Sequence, residues 1–399
     1  MKCNRNKYDY IMIIFILSIS FGEIGHAFQP VRVLSIIFFP YLLSSLLAHK
    51  YSKFQIYCFY FLSSWLLFLI LSLLWTPNFN KGVVELVAYI CHFSAFVLLI
   101  LISRKALAPS NSIITGWILF FVITSPFAIF ELLFDIHLPF SNLADNAVIN
   151  YGNGVVVNKK FSALAFYNMN TYITALCYSL PYILSIGLRK YSNKNQTFFL
   201  LLALSYLYLV LMNASRGGIV CSIAAFFCFL FYYKDVKYPS KKMWTFGSIC
   251  LIFFFLFVYR EVLFEQISYR LIESSLLEDT GRMELWGTAW KLILKSSFLG
   301  TGIGSINDSM AQYGLLITIP HNLFLEIFVQ YGLLLIILFL IFIAIVFYKV
   351  KKSNKINQFI VYTSLIILPF SSIINSGYLL MPVFWLFLSS LYILSTSYK

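Results

Sequence analysis

Two short polar motifs lie at the ends of apolar segments, and each contains a side chain suited to chemistry. One is Arg216, within Asn213-Ala214-Ser215-Arg216-Gly217-Gly218. Its planar, permanently charged guanidinium is suited to binding a phosphate; an arginine that anchors the chain at the membrane interface is the alternative. The other is His321, within Pro320-His321-Asn322. The pKa range of an imidazole suits a general base, with a structural hydrogen-bonding role as the alternative.

A long polar stretch, residues 260–322, contains His321 and two further motifs. These are Gly281-Arg282-Met283-Glu284-Leu285-Trp286 and Gly300-Thr301-Gly302-Ile303-Gly304. The glycines form a flexible turn at which backbone amides can approach a ligand closely. The pattern lacks the strand before it, the helix after it and the Lys-Ser/Thr pair of a nucleotide-binding loop, which argues against a soluble nucleotide-binding fold. We therefore expect the chemistry to reside in this stretch.

The remainder of the chain has the composition of a membrane protein. Of the 399 residues, 60% are hydrophobic and 11% are charged, far outside the range of a soluble domain of this length. In a soluble protein a net charge of +14 would suggest a nucleic-acid partner. In a membrane protein the positive residues instead indicate which side of the membrane each segment faces, so we expect no nucleic-acid partner. The seven cysteines have no paired or metal-like spacing, so they are expected to be small core residues. No cofactor is expected.

Apolar runs of roughly 20 residues, long enough to cross the hydrocarbon, predict about twelve membrane-spanning helices. The runs lie near residues 9–28, 32–48, 54–75, 83–103, 112–134, 171–188, 197–213, 217–233, 243–259, 323–348, 356–376 and 378–396. Most lysines and arginines then fall on one side, in short segments. The positive-inside rule predicts that both ends are cytoplasmic. The expected fold is one all-α integral membrane domain over residues 1–399.

Two predicted outer loops are long. Residues 135–170 contain the turn-forming cluster Asn150-Tyr151-Gly152-Asn153-Gly154, and Lys159 and Lys160 could help to clamp a substrate if this loop folds over the site. Within the large loop, residues 260–322, spaced apolar residues predict a surface helix over residues 260–277. Glu85 and Glu131 are expected near the outer ends of their helices, within reach of water.

A second helix of the large loop is predicted from Arg282 to Lys295. Its apolar face would consist of Leu285, Trp286, Ala289, Trp290, Leu292 and Ile293, a spacing typical of an amphipathic helix. His321 or Asn322 would lie near the N-cap of the next spanning helix.

Four motifs together resemble a known family. They are Ser215-Arg216-Gly217-Gly218, Gly281-Arg282 with Leu285-Trp286, Phe298-Leu299-Gly300-Thr301-Gly302-Ile303-Gly304, and His321-Asn322-Leu323-Phe324-Leu325-Glu326 with Tyr331-Gly332. Their order is similar to that of the O-antigen polymerase and O-antigen ligase superfamily, specifically over about residues 200–345. Phe298 departs from the pattern, since many relatives have proline there. The resemblance implies a GT-C-like, metal-independent membrane glycosyltransferase that uses undecaprenyl-diphosphate-linked sugars at the periplasmic face of the bacterial inner membrane.

By this resemblance the essential residues are Arg216, Arg282 and His321. The arginines would neutralise the diphosphate leaving group, and His321 would deprotonate the acceptor hydroxyl for an inverting transfer. Glu284 is the alternative base, with a solvated helix carboxylate as the plainer interpretation. The predicted substrate-binding residues are Arg216, Arg282, Arg270, Arg260, Gly302, Asn322 and Trp286. For Arg260 and Arg270 surface snorkelling is the alternative, and Trp286, Trp290 and Tyr313 could stack on a sugar.

Three functions remain open. A polymerase joins a growing glycan to another lipid-linked repeat unit, whereas a ligase transfers the finished glycan to lipid A-core. The Arg-Gly-Gly element and the segment that begins at His321 favour a polymerase. A transporter of lipid-linked sugars is the third class; its candidate membrane residues would be Glu23, Glu85, His92 and Glu131. The expected partners are lipid-linked donor and acceptor glycans, membrane lipid, a chain-length regulator and a flippase.

Overall fold

The computed structural model describes residues 4–24, 28–48, 51–138, 148–150, 156–158, 160–188, 193–213, 215–233, 279–315 and 319–397. These residues form α-helices and one small sheet. The helices are α1 (Lys7–Leu17), α2 (Pro30–Ile37), α3 (Phe39–Ala48), α4 (Lys53–Ser72), α5 (Phe79–Ser103), α6 (Pro109–Phe134), α7 (Met169–Leu188), α8 (Asn193–Met212), α9 (Arg216–Tyr233), α10 (Asp279–Lys295), α11 (Ile306–Ala311), α12 (Leu323–Val350), α13 (Lys355–Ser371) and α14 (Pro382–Thr396). Short 3-10 helices span Ser18–Phe21 and Tyr378–Leu380.

Five of the described helices are long and apolar enough to cross a membrane, and the bent pair α2 and α3 gives a sixth candidate. The five are α4, α5, α6, α7 and α12. Shorter apolar helices cover Thr197–Met212, Arg216–Tyr232 and Pro382–Thr396. The chain is therefore a helical membrane protein, as its composition predicts. The count of twelve spans stays a prediction, and the predicted span at 243–259 and surface helix at 260–277 lie outside the described residues.

The first two predicted spans were wrong in detail, since neither is one continuous helix. Helix α1 ends at Leu17, and Gly22 has a φ of +51°. A side chain on Gly22 would overlap the backbone of Ala165, so the chain turns there to pack against a distant loop. The next run bends by 49° between α2 and α3. Pro40 lies in the first turn of α3, where a residue without an N–H fits a new helix start but cannot continue the preceding one.

Helices α7 and α14 lie in the interior of the bundle, and both are buried along nearly their full lengths. Helix α7 packs against α6, α8, α9 and α13, while α14 packs against α5, α12 and α13. Because α12 is largely exposed along its apolar length, its outward face meets lipid. Helix α12 begins at Leu323, two residues after His321, so this bundle fixes the position of the candidate base.

The first outer loop contains a small antiparallel hairpin. Strand β1 (Val148–Asn150) pairs with β2 (Val156–Asn158), with Ile149 opposite Val157. The predicted turn-forming cluster begins at the last residue of β1, Asn150, and its other residues lie between the two strands in the sequence. The hairpin is a local exception to the predicted all-α architecture.

Helix α12 is interrupted at Gly332, which has φ +72° and ψ −169°. The break frees the carbonyl groups of Val329 and Gln330, and the glycine loop, residues 298–304, supplies their donors. Thr301 N–H donates to Val329 O at 2.8 Å and Gly302 N–H to Gln330 O at 2.9 Å. Leu333 N–H returns a bond to the glycine loop at Phe298 O, 2.8 Å away. An unwound helix turn inside a membrane protein needs such internal partners.

The other face of the glycine loop is attached to α4 and α5. Ser72 Oγ accepts from Ile303 N–H at 3.1 Å, and Glu85 Oε2 accepts from Gly304 N–H at 3.0 Å. Glu85 also accepts from the amide of Gln330 at 2.9 Å, which joins α5 directly to the break in α12. The glycine loop therefore acts as a bridge between α4, α5 and α12.

Replacing Gly332 by alanine tests this bridge. A Cβ there would overlap the carbonyl oxygens of Phe298 and Leu299, and a φ of +72° is unfavourable for alanine. We expect Gly332→Ala to lower the free energy of unfolding by about 1–3 kcal/mol, measured as a lower melting temperature of the purified protein in detergent. Gly287→Ala is the matched control, because nothing lies within 4 Å of its added Cβ and alanine stabilises a helix interior by about 0.5–1 kcal/mol. Equal melting temperatures for the two variants would contradict the bridge.

Candidate functional site

Helix α10 carries Arg282 in its first turn and is attached to the bundle by one apolar face. It begins at Asp279, slightly before the predicted start, and ends at Lys295 as predicted. The buried residues of this face pack against α11 and α12; they are Leu285, Ala289, Leu292 and Ile293, with Trp286 at the margin. Trp290 was predicted on this face, but 49% of its surface is exposed. Its ring makes an edge-to-face contact with Phe328 at the margin of the apolar face. Arg282 itself is half-buried.

Trp286 connects α10 to the segment that contains His321. Its indole Nε1–H donates to the carbonyl oxygen of Pro320 at 2.8 Å. Arg282 lies four residues before Trp286, so the two side chains share one face of the helix. This hydrogen bond therefore brings the Arg282 end of α10 to the residue immediately before His321.

His321 lies at the entrance to α12 in an uncommon backbone conformation. Its φ is +47°, a left-handed geometry that is uncommon for a non-glycine residue and is often found at functional sites. Asn322 caps α12, as predicted: its Oδ1 accepts from Phe324 N–H at 3.0 Å and Leu325 N–H at 3.3 Å. Leu323 N–H, which a helix start cannot satisfy internally, donates to Ser372 O at 3.0 Å. The half-buried His321 is thus held between the N-cap and α10.

Arg216 is the first residue of α9 and packs beside the turn that follows α13. The Oγ of Ser215 accepts from Gly218 N–H at 3.2 Å, which starts the helix. A Cβ on Gly217 would lie 2.6 Å from Ile374 Cγ1, so only glycine allows this close approach. Since Ser372 in the same turn receives the bond from Leu323, the turn at residues 371–375 lies between the segments of Arg216 and His321.

Glu326 is a buried residue that sequence reasoning quoted only as part of a motif. It lies one turn into α12 with 3% of its surface exposed. Its carboxylate accepts from Gly377 N–H at 2.9 Å and Tyr378 N–H at 3.1 Å. It therefore holds the connection between α13 and α14 against the start of α12. A carboxylate within a strongly apolar run was the signal that could have identified it.

The first outer loop is attached next to Arg216. Asn213 Oδ1 accepts from Ser162 N–H at 2.8 Å, and Glu131 Oε2 accepts from Ala163 N–H at 3.0 Å and Leu164 N–H at 2.9 Å. The expectation that water reaches Glu131 was wrong, because only 3% of this residue is exposed. The two amides replace water as its hydrogen-bond donors.

The remaining predicted site residues occupy different environments. Gly302 is buried and its N–H is used by Gln330, so this residue serves the fold. Glu284 and Tyr313 are exposed, and Lys160 is exposed with its Nζ 3.5 Å from Leu133 O. Arg260, Arg270 and Lys159 lie outside the described residues. Within the described ranges, no group of three or more His, Cys, Asp or Glu side chains could hold a metal ion.

An ion pair attaches the large loop to the first turn of α5. Lys81 Nζ lies 2.6 Å from Asp308 Oδ1, and the amide of Asn78 donates to the other carboxylate oxygen at 3.1 Å. The hydrogen bonds from Lys81 and Asn78 lower the pKa of Asp308 below its ordinary value. Asp308 therefore stays ionised at neutral pH, and α11 remains attached to the bundle at this point.

Comparison with known proteins identifies a family model that matches part of the chain. A search of curated proteins finds no significant match. Residues 198–340 match the model of a protein family described as O-antigen ligase. The matched stretch contains Arg216, Arg282 and His321, and members of this family are glycosyltransferase-like polymerases and ligases. The match confirms the resemblance of this chain to the O-antigen polymerase and O-antigen ligase superfamily, without separating the two activities.

Proposed function

We propose that this protein is an O-antigen polymerase that joins undecaprenyl-diphosphate-linked repeat units at the periplasmic face of the bacterial inner membrane. The observation that carries the proposal is the connection of three segments at one end of the bundle. The Trp286 bond to Pro320 joins α10 to His321, and the Leu323 bond to Ser372 joins His321 to the turn beside Arg216. Two guanidinium groups and an imidazole thus belong to one connected region.

These residue types suit glycosyl transfer from a lipid diphosphate. His321 would accept the proton of an acceptor sugar hydroxyl, whose oxygen attacks the anomeric carbon of the donor as the bond to the diphosphate breaks. Undecaprenyl diphosphate leaves with the bonding electrons, and the sugar configuration inverts. Arg216 and Arg282 would stabilise the negative charge that grows on the leaving group. Each arginine is half-buried, which strengthens its interaction with an anion relative to bulk water.

The surrounding structure suits a lipid-linked substrate. His321 and Arg216 lie at the ends of apolar helices, where a polyprenyl chain can stay in lipid while its diphosphate reaches the cations. The first outer loop packs beside Arg216 through Asn213 and Ser162, so it would cover one side of the bound sugar. Positive residues crowd the opposite ends of the helices, which supports a periplasmic site and cytoplasmic termini.

The alternative is an O-antigen ligase, since the matching family model carries that description. Both reactions use the same donor chemistry and differ in the acceptor. The Arg-Gly-Gly element and the sequence following His321 support the polymerase.

Substitution of the three site residues tests the chemistry. We expect His321→Ala to reduce turnover by roughly 10²- to 10⁴-fold through loss of the base. Arg216→Ala and Arg282→Ala should each reduce it by about 10²- to 10³-fold through loss of charge stabilisation. The assay uses purified protein with lipid-linked oligosaccharide from a strain that lacks this protein, and follows glycan length by mass spectrometry.

The matched controls are Lys291→Ala and Lys295→Ala, two exposed cations of the same helix as Arg282. Their activity should stay within about twofold of the original protein, because exposed surface substitutions have small effects. Full activity of both Arg216→Ala and His321→Ala would contradict the site assignment. Glycan transfer by the purified protein without a gradient or partner would exclude the transporter interpretation.

Trp286→Phe tests whether the bond to Pro320 positions the site. A smaller aromatic ring remains, but the hydrogen bond to the Pro320 carbonyl oxygen, which contributes about 0.5–1.5 kcal/mol, is lost. We expect turnover to fall several-fold and the melting temperature to change little. Trp290→Phe is the control because this ring lies on the exposed side of α10. Equal turnover of the two variants would show that the indole donor has no positioning role.

The cellular product distinguishes polymerase from ligase. A deletion strain should make lipopolysaccharide whose core carries a single repeat unit, because ligation continues while chain growth stops. Gel electrophoresis of lipopolysaccharide provides the measurement, and complementation with the intact gene is the control. Unmodified core together with accumulated lipid-linked polymer would instead indicate the ligase.

A further inference from the structure

A basic cavity of about 550 Å³ lies at the end of the bundle opposite His321. It lies where α4 begins and where α5, α12 and α14 end. Three cationic side chains line it, namely Lys53, Arg104 and Lys349, and none of the described lining residues is acidic. Hydroxyl and amide groups complete the wall; they belong to Ser52, Gln55, Ser103, Thr396 and Ser397. The hydroxyls of Ser52, Ser103, Thr396 and Ser397 already donate to Gln55 or to backbone carbonyl oxygens, so the cavity attracts an anion chiefly through the positive charge of its three cations.

Aromatic rings hold two of these cations at the cavity. The guanidinium carbon of Arg104 lies 5.7 Å from the ring centre of Tyr51, and Lys349 Nζ lies 5.3 Å from that of Phe54. Such cation–π contacts restrict where the charged groups point. Like charges around one cavity repel each other, and a bound anion would relieve that repulsion.

An apolar groove of about 160 Å³ adjoins this cavity along the lipid-facing side of α4 and α12. The two spaces share Phe54 and Tyr392, whose rings stack with centres 4.7 Å apart. Farther along, the groove is lined by Tyr57, Cys58, Phe61, Leu338, Ile341 and Phe342. Tyr57 and Ile341 are exposed, so the groove opens toward the hydrocarbon.

The cavity is too far from His321 to belong to the proposed catalytic site. Helix α12 has 28 residues, which corresponds to about 42 Å at 1.5 Å per residue. His321 precedes its first residue, and Lys349 lies in its last turn. The positive-inside pattern assigns the Lys349 end to the cytoplasm, where the leaflet contains anionic phospholipids.

We propose that this cavity and groove bind an anionic phospholipid, with its phosphate headgroup among Lys53, Arg104 and Lys349 and one acyl chain in the groove. The charge of the cavity matches the headgroup, and the groove leads from it into the hydrocarbon. A free phosphate would occupy the cavity alone and gain nothing from the groove. This site is separate from the proposed catalytic function and does not depend on it.

Native mass spectrometry of the full-length protein in detergent tests the proposal with matched lipids. We expect phosphatidylglycerol to bind more tightly than phosphatidylethanolamine of the same acyl chains. Near a membrane surface each cation contributes about a fivefold gain in affinity for anionic lipid, so Lys53→Gln, Arg104→Gln and Lys349→Gln combined should weaken phosphatidylglycerol binding by about 100-fold. The single substitution Lys53→Gln, at an exposed position, should weaken it by about fivefold.

Matched variants separate the cavity from general surface charge and the groove from general hydrophobicity. Lys351→Gln, Lys352→Gln and Lys355→Gln combined remove three charges near the same end of the bundle without touching the cavity, and should retain phosphatidylglycerol binding. Ser64→Phe should fill the groove and weaken binding, whereas Ser63→Phe, at the neighbouring exposed position outside the groove, should not. Melting temperatures establish that each variant folds.

Three results would overturn the proposal. One is equal affinity for the anionic and zwitterionic lipids. Another is equal loss of binding in the cavity and control triple variants. The third is stronger binding of undecaprenyl phosphate than of phosphatidylglycerol, which would identify a polyprenyl lipid as the occupant. Unchanged phosphatidylglycerol binding by a folded Ser64→Phe variant would exclude the groove as the acyl site.

Discussion

Hydrocarbon offers no hydrogen-bond partners, and the break at Gly332 therefore determines much of the structure around it. The carbonyl groups of Val329 and Gln330 need donors, which the glycine loop provides. Once the glycine loop is inserted, its opposite side must also be satisfied, and Ser72 and Glu85 of the neighbouring helices do so. A single helix break thus couples the large loop to three spanning helices. Helix α10 and Arg282 are positioned relative to α12 through this coupled region.

Buried carboxylates provide a second common device in the bundle. Asp9 accepts from the backbone N–H groups of Leu107 and Ala108, each at 3.0 Å. Glu131 and Glu326 do the same for the first outer loop and for the connection between α13 and α14. In each case a helix carboxylate satisfies two consecutive amides of a loop that lacks regular hydrogen bonds. These acids are used in the architecture, so their presence among apolar helices does not favour a transport pathway.

The two ends of the bundle have different chemistry. At one end, hydrogen bonds link the segment of His321 to α10 and to the turn that packs against the start of α9. At the other end, cations surround a cavity that adjoins an apolar groove. The separation fits an enzyme whose reacting groups face one side of the membrane while the opposite ends of its helices contact the other leaflet. Helix α12 contributes residues to both ends, so its position in the bilayer affects both the His321 end and the basic cavity.

The sequence by itself determined the membrane class, most helix positions, the helix from about Arg282 to Lys295 and the cap at Asn322. These features depend on local hydrophobic periodicity and on side chains that bond to nearby backbone groups. Each can therefore be recognised from a short window of the sequence. The same holds for the motifs that resemble the superfamily.

Only the tertiary structure decided where helices break and which polar residues serve the fold. The turn at Gly22 depends on Ala165, and the break at Gly332 depends on Phe298 and Leu299. Glu131 is buried because loop amides far away in the sequence replace water around it. Each of these outcomes is set by contacts between segments that are distant along the chain, so no local pattern could determine them.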